Sequence, residues 1–334
     1  MKLIIPMAGR GTRVRPHSHT TPKPLLPVAG TMIIERIVET FSRTMDRKID
    51  EIVYILGPDF GQPIRERLEA MSDRHGAKAV FRVQKIALGT AHAVYSAEKD
   101  LQGEVIVVFA DTLFDTDSRV SVEGADSVIW LKEVEDPSRF GVAVHQGDTI
   151  TDFVEKPTEP ISNLAIIGVY YFRDAEQLKE KIRSLIDQNK TGYGGEYQLT
   201  DALDQMLKDG KTFRKATVDE WLDCGTLPAW LETTAAILDK ENSQVDPARF
   251  PDSTIHPPVY IGEGVRIINS EIGPYASIEK GAVIEQSHIS HSIIQQEAHI
   301  QRSRIHTSTV GCHARVEGAE GVVHLGDHSI IAAE

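Results

Sequence analysis

Short apolar runs and helical stripes alternate along the first 240 residues. Residues 2–5 form an apolar run closed by Pro6, and Glu51–Leu56, 79–83, 104–110 and 127–134 repeat the pattern. Runs of this length read as buried strands. Between them, residues 32–45 place Ile33, Ile34, Ile37, Val38 and Phe41 at helical spacing. Residues 90–97 read as a second helix, with Thr90 as a candidate N-cap. The alternation predicts an α/β fold, a Rossmann-like and mostly parallel sheet with helices on both faces. Ligands in such sheets sit at the carboxyl ends of strands, where the loop after residue 5 and Asp111 fall.

The pattern changes after Glu241. Pro247, Pro251, Pro257 and Pro258 mark a linker. Apolar residues then recur every five or six positions, through Ile261, Ile267, Ile272, Ile278, Ile284, Ile289, Ile294, Ile300, Ile305, Val310 and Val316. That period is wrong for a helix and too long for simple alternation. It fits a parallel β-helix with one apolar residue per short side, for which about three coils are expected. The domains predicted are therefore 1–240 and 241–334.

The candidate chemistry starts at the first strand end. Gly9 and Gly11 are followed by Thr12, Arg13 and, between two prolines, Lys23. Glycines let backbone N–H groups approach anionic oxygens, and the two cations add fixed positive charge. A polyphosphate is the ligand such a loop suits. It is neither a P-loop, which needs four residues between its glycines, nor the dinucleotide fingerprint, which needs a third glycine opening a helix.

The run G-x-G-T-R-x-x-P, followed by P-K-P-L-L-P-V, resembles the signature of sugar-1-phosphate nucleotidyltransferases. Further segments resemble that family in order: Gln84 to Ala91; Ala110-Asp111-Thr112; Phe140-Gly141-Val142; Glu155-Lys156-Pro157; 162–170; 195–201; and Trp221-Leu222-Asp223-Cys224-Gly225-Thr226. Glucose-1-phosphate thymidylyl- and uridylyltransferases are the most similar members. The repeat resembles the left-handed hexapeptide-repeat helix attached to many of them.

The resemblance implies nucleotide binding by Ala8, Gly9, Gly11, Thr12, Arg13, Gln84, Gly89 and Thr90. It implies sugar-phosphate binding by Gly141, Glu155, Lys156, Ile166 and Tyr170. Asp111 and Asp223 would be the ligands of Mg²⁺, the expected cofactor. Arg13, Lys23, Asp111, Lys156 and Asp223 would carry catalysis. The Gln84 amide can donate and accept, which matches a uracil or thymine edge and favours UTP or dTTP over GTP. Two departures loosen the substrate assignment: Thr112 replaces the family's Asn after the metal Asp, and Gly194 replaces an Arg found in some thymidylyltransferases. Cys224 has no partner at metal spacing and reads as a small buried apolar residue.

Composition narrows partners. A net charge of −13 argues against nucleic acid and anionic membranes, so the cations of the first loop form a local spot suited to a small anion. Two cysteines are too few for a disulfide framework, which points to a reducing cytoplasm. No signal peptide or membrane span is recognisable. The expected partners are a nucleoside triphosphate and a sugar 1-phosphate, with a homo-oligomer as the assembly.

Three alternatives stand beside the thymidylyl or uridylyl reading. One is mannose-1-phosphate guanylyltransferase. Another is uridylyl transfer to an amino sugar 1-phosphate with acetyltransferase activity in the repeat, where a histidine could act as base. The third is a non-catalytic nucleotide-sugar-binding regulatory subunit. His288, His291, His299, His306, His313, His324 and His328 crowd the repeat and read as polar coil positions. His17 and His19 are expected to touch phosphate. All named chemistry precedes Leu238, so the repeat is expected to serve assembly or regulation.

Overall fold

A computed structural model describes the chain apart from Arg10, Asp46, Asp117, Ser118, Pro160, Ala333 and Glu334. The fold has two compact units, and neither is one continuous stretch. The first is Met1–Gly9 with Ile37–Trp221; the second is Arg10–Arg36 with Leu222–Glu334.

The first unit is built on a nine-stranded sheet. Its strands are β1 (Lys2–Pro6), β2 (Glu51–Leu56), β3 (Lys78–Val83), β4 (Val105–Val108), β5 (Ser127–Glu133), β6 (Gly141–Gln146), β7 (Thr149–Glu155), β8 (Leu164–Phe172) and β9 (Phe213–Thr217). Across the sheet the order is β3-β2-β1-β4-β8-β5-β9-β7-β6. The first four are mutually parallel, with Leu3 opposite both Ile52 and Ile106. β8 then runs antiparallel to β4 and β5, and β7 antiparallel to β9 and β6. Only Gly147 and Asp148 separate β6 from β7, and a two-residue turn reverses direction. The sheet is thus parallel where helices connect its strands and mixed beyond.

Both faces of the central strands are buried, whereas the edge strand β3, read from sequence as buried, is only half-covered. Ile4, Val53, Val107 and Ile129 lie on one face, and Leu3, Ile52, Ile106 and Val128 alternate onto the other. Burial on both faces is why these strands read as continuous apolar runs. The helices are α1 (Ile33–Thr44), α2 (Gln62–Arg74), α3 (Thr90–Tyr95), α4 (Ala175–Asp187), α5 (Leu199–Lys208) and α6 (Leu227–Lys240). Leu178, Ile182 and Leu203 of α4 and α5 share the core of Ile4 and Val53, with Ala91 and Val94 of α3. Phe41 of α1 meets Trp130 edge-on at 6.3 Å. No helix among the described residues is long and apolar enough to cross a membrane.

The second unit combines α6, the hairpin of Pro27–Val28 with Thr31–Met32, and the repeat. Trp230 of α6 is fully buried and donates its Nε1–H to the Pro27 carbonyl at 2.7 Å. From Thr254 to Ala332 the chain forms three parallel sheets of five strands each, the stacking of a left-handed parallel β-helix. Thr254 lies opposite Glu271, Glu271 opposite His288, His288 opposite Arg304 and Arg304 opposite Glu320, steps of 17, 17, 16 and 16 residues. The five rungs exceed the three or so coils expected. Each coil is shorter than a strict three hexapeptides, and the last rung, through Gly321 and Leu325, has a weak apolar pattern.

Stacked isoleucines fill the helix interior: Ile272, Ile289 and Ile305 on one side and Ile267, Ile284 and Ile300 on another. Two serine ladders run beside them. Ser253, Ser270, Ser287 and Ser303 each accept the N–H of the residue one rung on, as do Ser292 and Ser308. Buried hydroxyls thereby satisfy backbone donors that the corners leave out of the sheets.

Candidate active site

Gln84 follows β3 directly, and its N–H continues the ladder to the Leu56 carbonyl at 2.9 Å. Its side chain is buried, with Nε2 3.3 Å from Nδ1 of His92. Burial holds the His92 pKa below its usual value, which favours the neutral ring that can accept this N–H. One amide N–H is used there, and an amide carries a second donor and two acceptor lone pairs.

Gly89 opens α3 at φ 113°, a conformation that favours glycine. Tyr197 donates its N–H to the Leu88 carbonyl and accepts that of Ala91, each at 2.9 Å. A Cβ on Gly89 would lie 2.5 Å from the Tyr197 carbonyl oxygen, so the close approach needs glycine. Thr90 does not cap its own helix, because Gly89 holds that place. The Thr90 hydroxyl instead donates to Gln198 Oε1 at 3.1 Å and accepts the N–H of Leu199 at 2.9 Å. It caps α5, a role invisible at a separation of over a hundred residues.

The residues expected at the sugar gather at the end of β7. A Cβ on Gly141 would lie 2.9 Å from Glu155 Oε2, 3.3 Å from Ile166 Cδ1 and 3.4 Å from Thr200 Oγ1. Glu155 Oε2 accepts the Thr200 hydroxyl at 2.7 Å. Lys156 sits at φ 45°, its N–H bonded to the Phe140 carbonyl at 3.0 Å, and its ammonium lies 4.5 Å from the Tyr193 ring centre. β8 slips register against β5 between Ile166 and Tyr170, a bulge beside the site. Burial, then the charges of Glu155 and Asp111, push the Tyr170 phenol above its ordinary pKa. Tyr170 is therefore neutral, with both carboxylates acting on it. Burial also raises the Asp201 pKa, followed by the charge of Glu155. Thr200 and Tyr193 were not singled out from sequence; Thr200 stands in the segment 195–201 that resembles the family.

In the first unit, Ala8 is half-buried and Gly9 exposed. In the second, Gly11 has φ 57° and begins a short 3₁₀ turn, Thr12–Val14, on which Thr12 and Arg13 are exposed. A second such turn, His17–His19, follows, and a third, Lys23–Leu25, buries Lys23. Asp223 ends the strand Glu220–Asp223, and its Oδ1 accepts the Gly225 N–H at 2.7 Å. A Cβ on Gly225 would lie 2.7 Å from that oxygen and 3.1 Å from Arg13 Nη2. The bare glycine thus leaves room where Arg13 and Asp223 converge. Cys224 is buried, as its reading as a small apolar residue requires.

His17 departs from expectation. It is wholly buried, and burial lowers its pKa to about 4. Both ring nitrogens are engaged by the repeat, Nδ1 by Gln295 and Nε2 by Thr309. A neutral, enclosed imidazole is not a phosphate-binding cation. The repeat histidines take polar coil places: His291, His313 and His328 occupy left-handed corners, and the rings of His313 and His328 stack at 4.9 Å.

Among the described residues, no group of three or more His, Cys, Asp or Glu is arranged to hold a metal. The donors on offer are carboxylates. Mg²⁺ keeps several waters and binds through one or two carboxylates plus phosphates, so Asp111 and Asp223 have the chemistry it takes.

Comparison with known proteins identifies the family. Residues 2–240 match the family described as nucleotidyl transferase. The low-salt glycan biosynthesis nucleotidyltransferase Agl11 of Haloferax volcanii is 31% identical over 360 aligned positions, covering 99% of this chain and 98% of the relative. A glucose-1-phosphate thymidylyltransferase of Streptomyces griseus is 28% identical, covering 98% of each. A solved structure of UDP-glucose pyrophosphorylase complexed with UDP-glucose superposes with a TM-score of 0.59 at 26% identity, covering 72% of this chain and 98% of that one.

Proposed function

Since the chain belongs to the nucleotidyl transferase family and is a sugar-1-phosphate nucleotidyltransferase, we propose that it joins dTTP or UTP to a hexose 1-phosphate, glucose 1-phosphate foremost. The products are a nucleotide sugar and pyrophosphate. The observation that carries the pyrimidine choice is the buried amide of Gln84 at the end of β3. An amide matches the O4 and N3–H edge of uracil and thymine. The names of the Streptomyces relative and of the pyrophosphorylase, both pyrimidine enzymes of glucose, support it.

In the proposed reaction an oxygen of the sugar 1-phosphate attacks the α-phosphorus. The bond from that phosphorus to the bridging oxygen breaks, and pyrophosphate leaves with its electron pair. The second pKa of a phosphate monoester is about 6, so the nucleophile is already anionic at neutral pH. No general base is required, and catalysis rests on positioning and charge neutralisation. Arg13 and Lys23 offset charge on the triphosphate. Lys156 holds the sugar phosphate. Glu155, oriented by Thr200, accepts from sugar hydroxyls, and the bare backbone at Gly141 lets the sugar approach. When bound through Asp111 and Asp223, Mg²⁺ supplies further charge neutralisation at the α-phosphate.

The test is pyrophosphate release from dTTP, UTP, GTP and ATP, each against glucose, mannose, galactose and amino sugar 1-phosphates. Turnover highest with dTTP or UTP and glucose 1-phosphate is expected. Preference for GTP overturns the base assignment, preference for an amino sugar overturns the sugar assignment, and no release with any pair overturns catalysis.

A further inference from the structure

The loop that carries Arg13 and Lys23 is anchored on the β-helix. Between these cations the chain buries His17 completely, against Trp230 edge-on at 5.3 Å. Gln295 donates its amide N–H to His17 Nδ1 at 2.8 Å, so that nitrogen carries no proton. The Nε2–H of the neutral ring then donates to Thr309 Oγ1, also at 2.8 Å. Gln295 follows the strand Ile293–Ile294, and Thr309 begins Thr309–Val310 on the next rung. Thr309 is itself bonded to His324 Nδ1 at 2.9 Å, one rung further on.

The anchor continues into the loop. Ser18, next to His17, donates its hydroxyl to the Gly11 carbonyl at 2.7 Å. A Cβ on Gly11 would touch Lys23 Cβ at 3.0 Å, so the glycine turn and the lysine are packed on each other. Thr20 bonds Asp327, whose other oxygen accepts the Cys312 N–H at 2.8 Å. Gly326 backs onto Pro16, where an added Cβ would lie 3.0 Å from the proline ring. Through Pro16, His17 and Thr20, the loop of residues 11–23 is thus joined to residues 295–327.

We propose that the β-helix holds the two cations of the loop in register through His17, making Gln295 and Thr309 positioning residues for nucleotidyl transfer. This rests on the reading of Arg13 and Lys23 as triphosphate ligands. The repeat is then part of the catalytic apparatus, although no residue of it need touch substrate. A hydrogen-bonded ring fixed at both nitrogens resists rotation, and the chain on either side of it inherits that fixity.

The experiment uses the full chain and steady-state kinetics with each substrate varied. Thr309→Val removes the hydroxyl and keeps the volume; Gln295→Met does the same for the amide. Each is expected to raise the KM for the triphosphate about fivefold, the worth of one lost hydrogen bond, and to leave the KM for the sugar 1-phosphate in place. Thr309→Ser, which keeps the hydroxyl, restores the wild-type triphosphate KM. Ser303→Ala removes a ladder bond elsewhere in the β-helix and lowers Tm without moving either KM. An unchanged triphosphate KM in Thr309→Val, or in Gln295→Met should the first not fold, overturns the proposal. Arg13→Ala run in parallel separates the two layers: inactive Arg13→Ala beside normal Thr309→Val sinks the anchor alone, and normal turnover of Arg13→Ala sinks the loop reading and the anchor with it.

Discussion

Thr200 donates its hydroxyl to Oε2 of Glu155 at 2.7 Å, joining the start of α5 to the end of β7. Ile166 and the bare α-carbon of Gly141 close around the same carboxylate. A carboxylate held by one donor keeps the rest of its acceptor capacity for a ligand. Thr200→Val should therefore raise the KM for the sugar 1-phosphate about fivefold, the cost of one hydrogen bond, with the triphosphate KM unmoved. Varying each substrate separately checks it, and a shift in the triphosphate KM instead would place Glu155 on the wrong substrate.

Asp111→Asn and Asp223→Asn keep side-chain shape and remove charge. Each should lower kcat by at least about a hundredfold, since one preorganised electrostatic contact is worth roughly 3 kcal/mol in such sites. Turnover in excess Mg²⁺ is the measurement. Near-normal rates for either variant would remove that residue from the proposed metal pair.

Gly89→Ala should be severe. The new methyl group would sit 2.5 Å from one backbone atom of Tyr197 and 2.7 Å from another, at φ 113°. Backbone atoms cannot swing aside, so the two bonds that tie Tyr197 to Leu88 and Ala91 must lengthen. A loss of about 2–4 kcal/mol is expected from strain and broken bonds together. Urea unfolding measures it; a variant within about 0.5 kcal/mol of wild type would show that the segment shifts freely.

Glu279 makes stability depend on pH. It is buried in the β-helix, accepting the Ser277 hydroxyl at 2.9 Å and the Gly30 N–H at 3.3 Å. Burial raises its pKa from 4.5 to about 7, against the weaker pull of Arg36 toward the charged form. Between these values the folded chain keeps a proton that the unfolded chain has released. Its contribution is therefore full below pH 4.5 and lost as pH rises through about 7, by up to about 3 kcal/mol. Glu279→Gln accepts the same two bonds and cannot ionise. Thermal melts should show it level with wild type at pH 4.5 and more stable at pH 8; equal curves at both would mean the carboxylate reaches water.

His17 acts with the opposite sign. Burial lowers its pKa from 6.5 to about 4, with Asp327 opposing and His324 reinforcing the shift. The unfolded chain takes up a proton below pH 6.5 that the folded chain refuses. This contribution is present above pH 6.5 and declines as pH falls toward 4. In the Glu279→Gln background the opposing slope is gone, so the melting temperature should drop as pH falls across that window. A flat profile there would mean that His17 titrates as an exposed imidazole.

What sequence alone determined is whatever depends on local period and ordered motifs. The apolar runs became β1, β2, β4 and β5, because a strand buried on both faces must be apolar throughout. The stripe at Ile33, Ile37 and Phe41 became α1, and the five- to six-residue period became the β-helix, because each demands burial at fixed intervals. The family signature, the two aspartates proposed to hold Mg²⁺ and the Glu155-Lys156 pair were legible as types in order. Tertiary structure decided which partners those residues meet. Thr90 caps α5 and not α3, and His17 turns from phosphate into the β-helix, because a hydrogen bond depends on distance in space and leaves no trace in local spacing. The number of rungs was settled the same way: backbone pairing between coils carries the last turn even where Gly321 stands opposite Ile305 and leaves one side without its apolar residue.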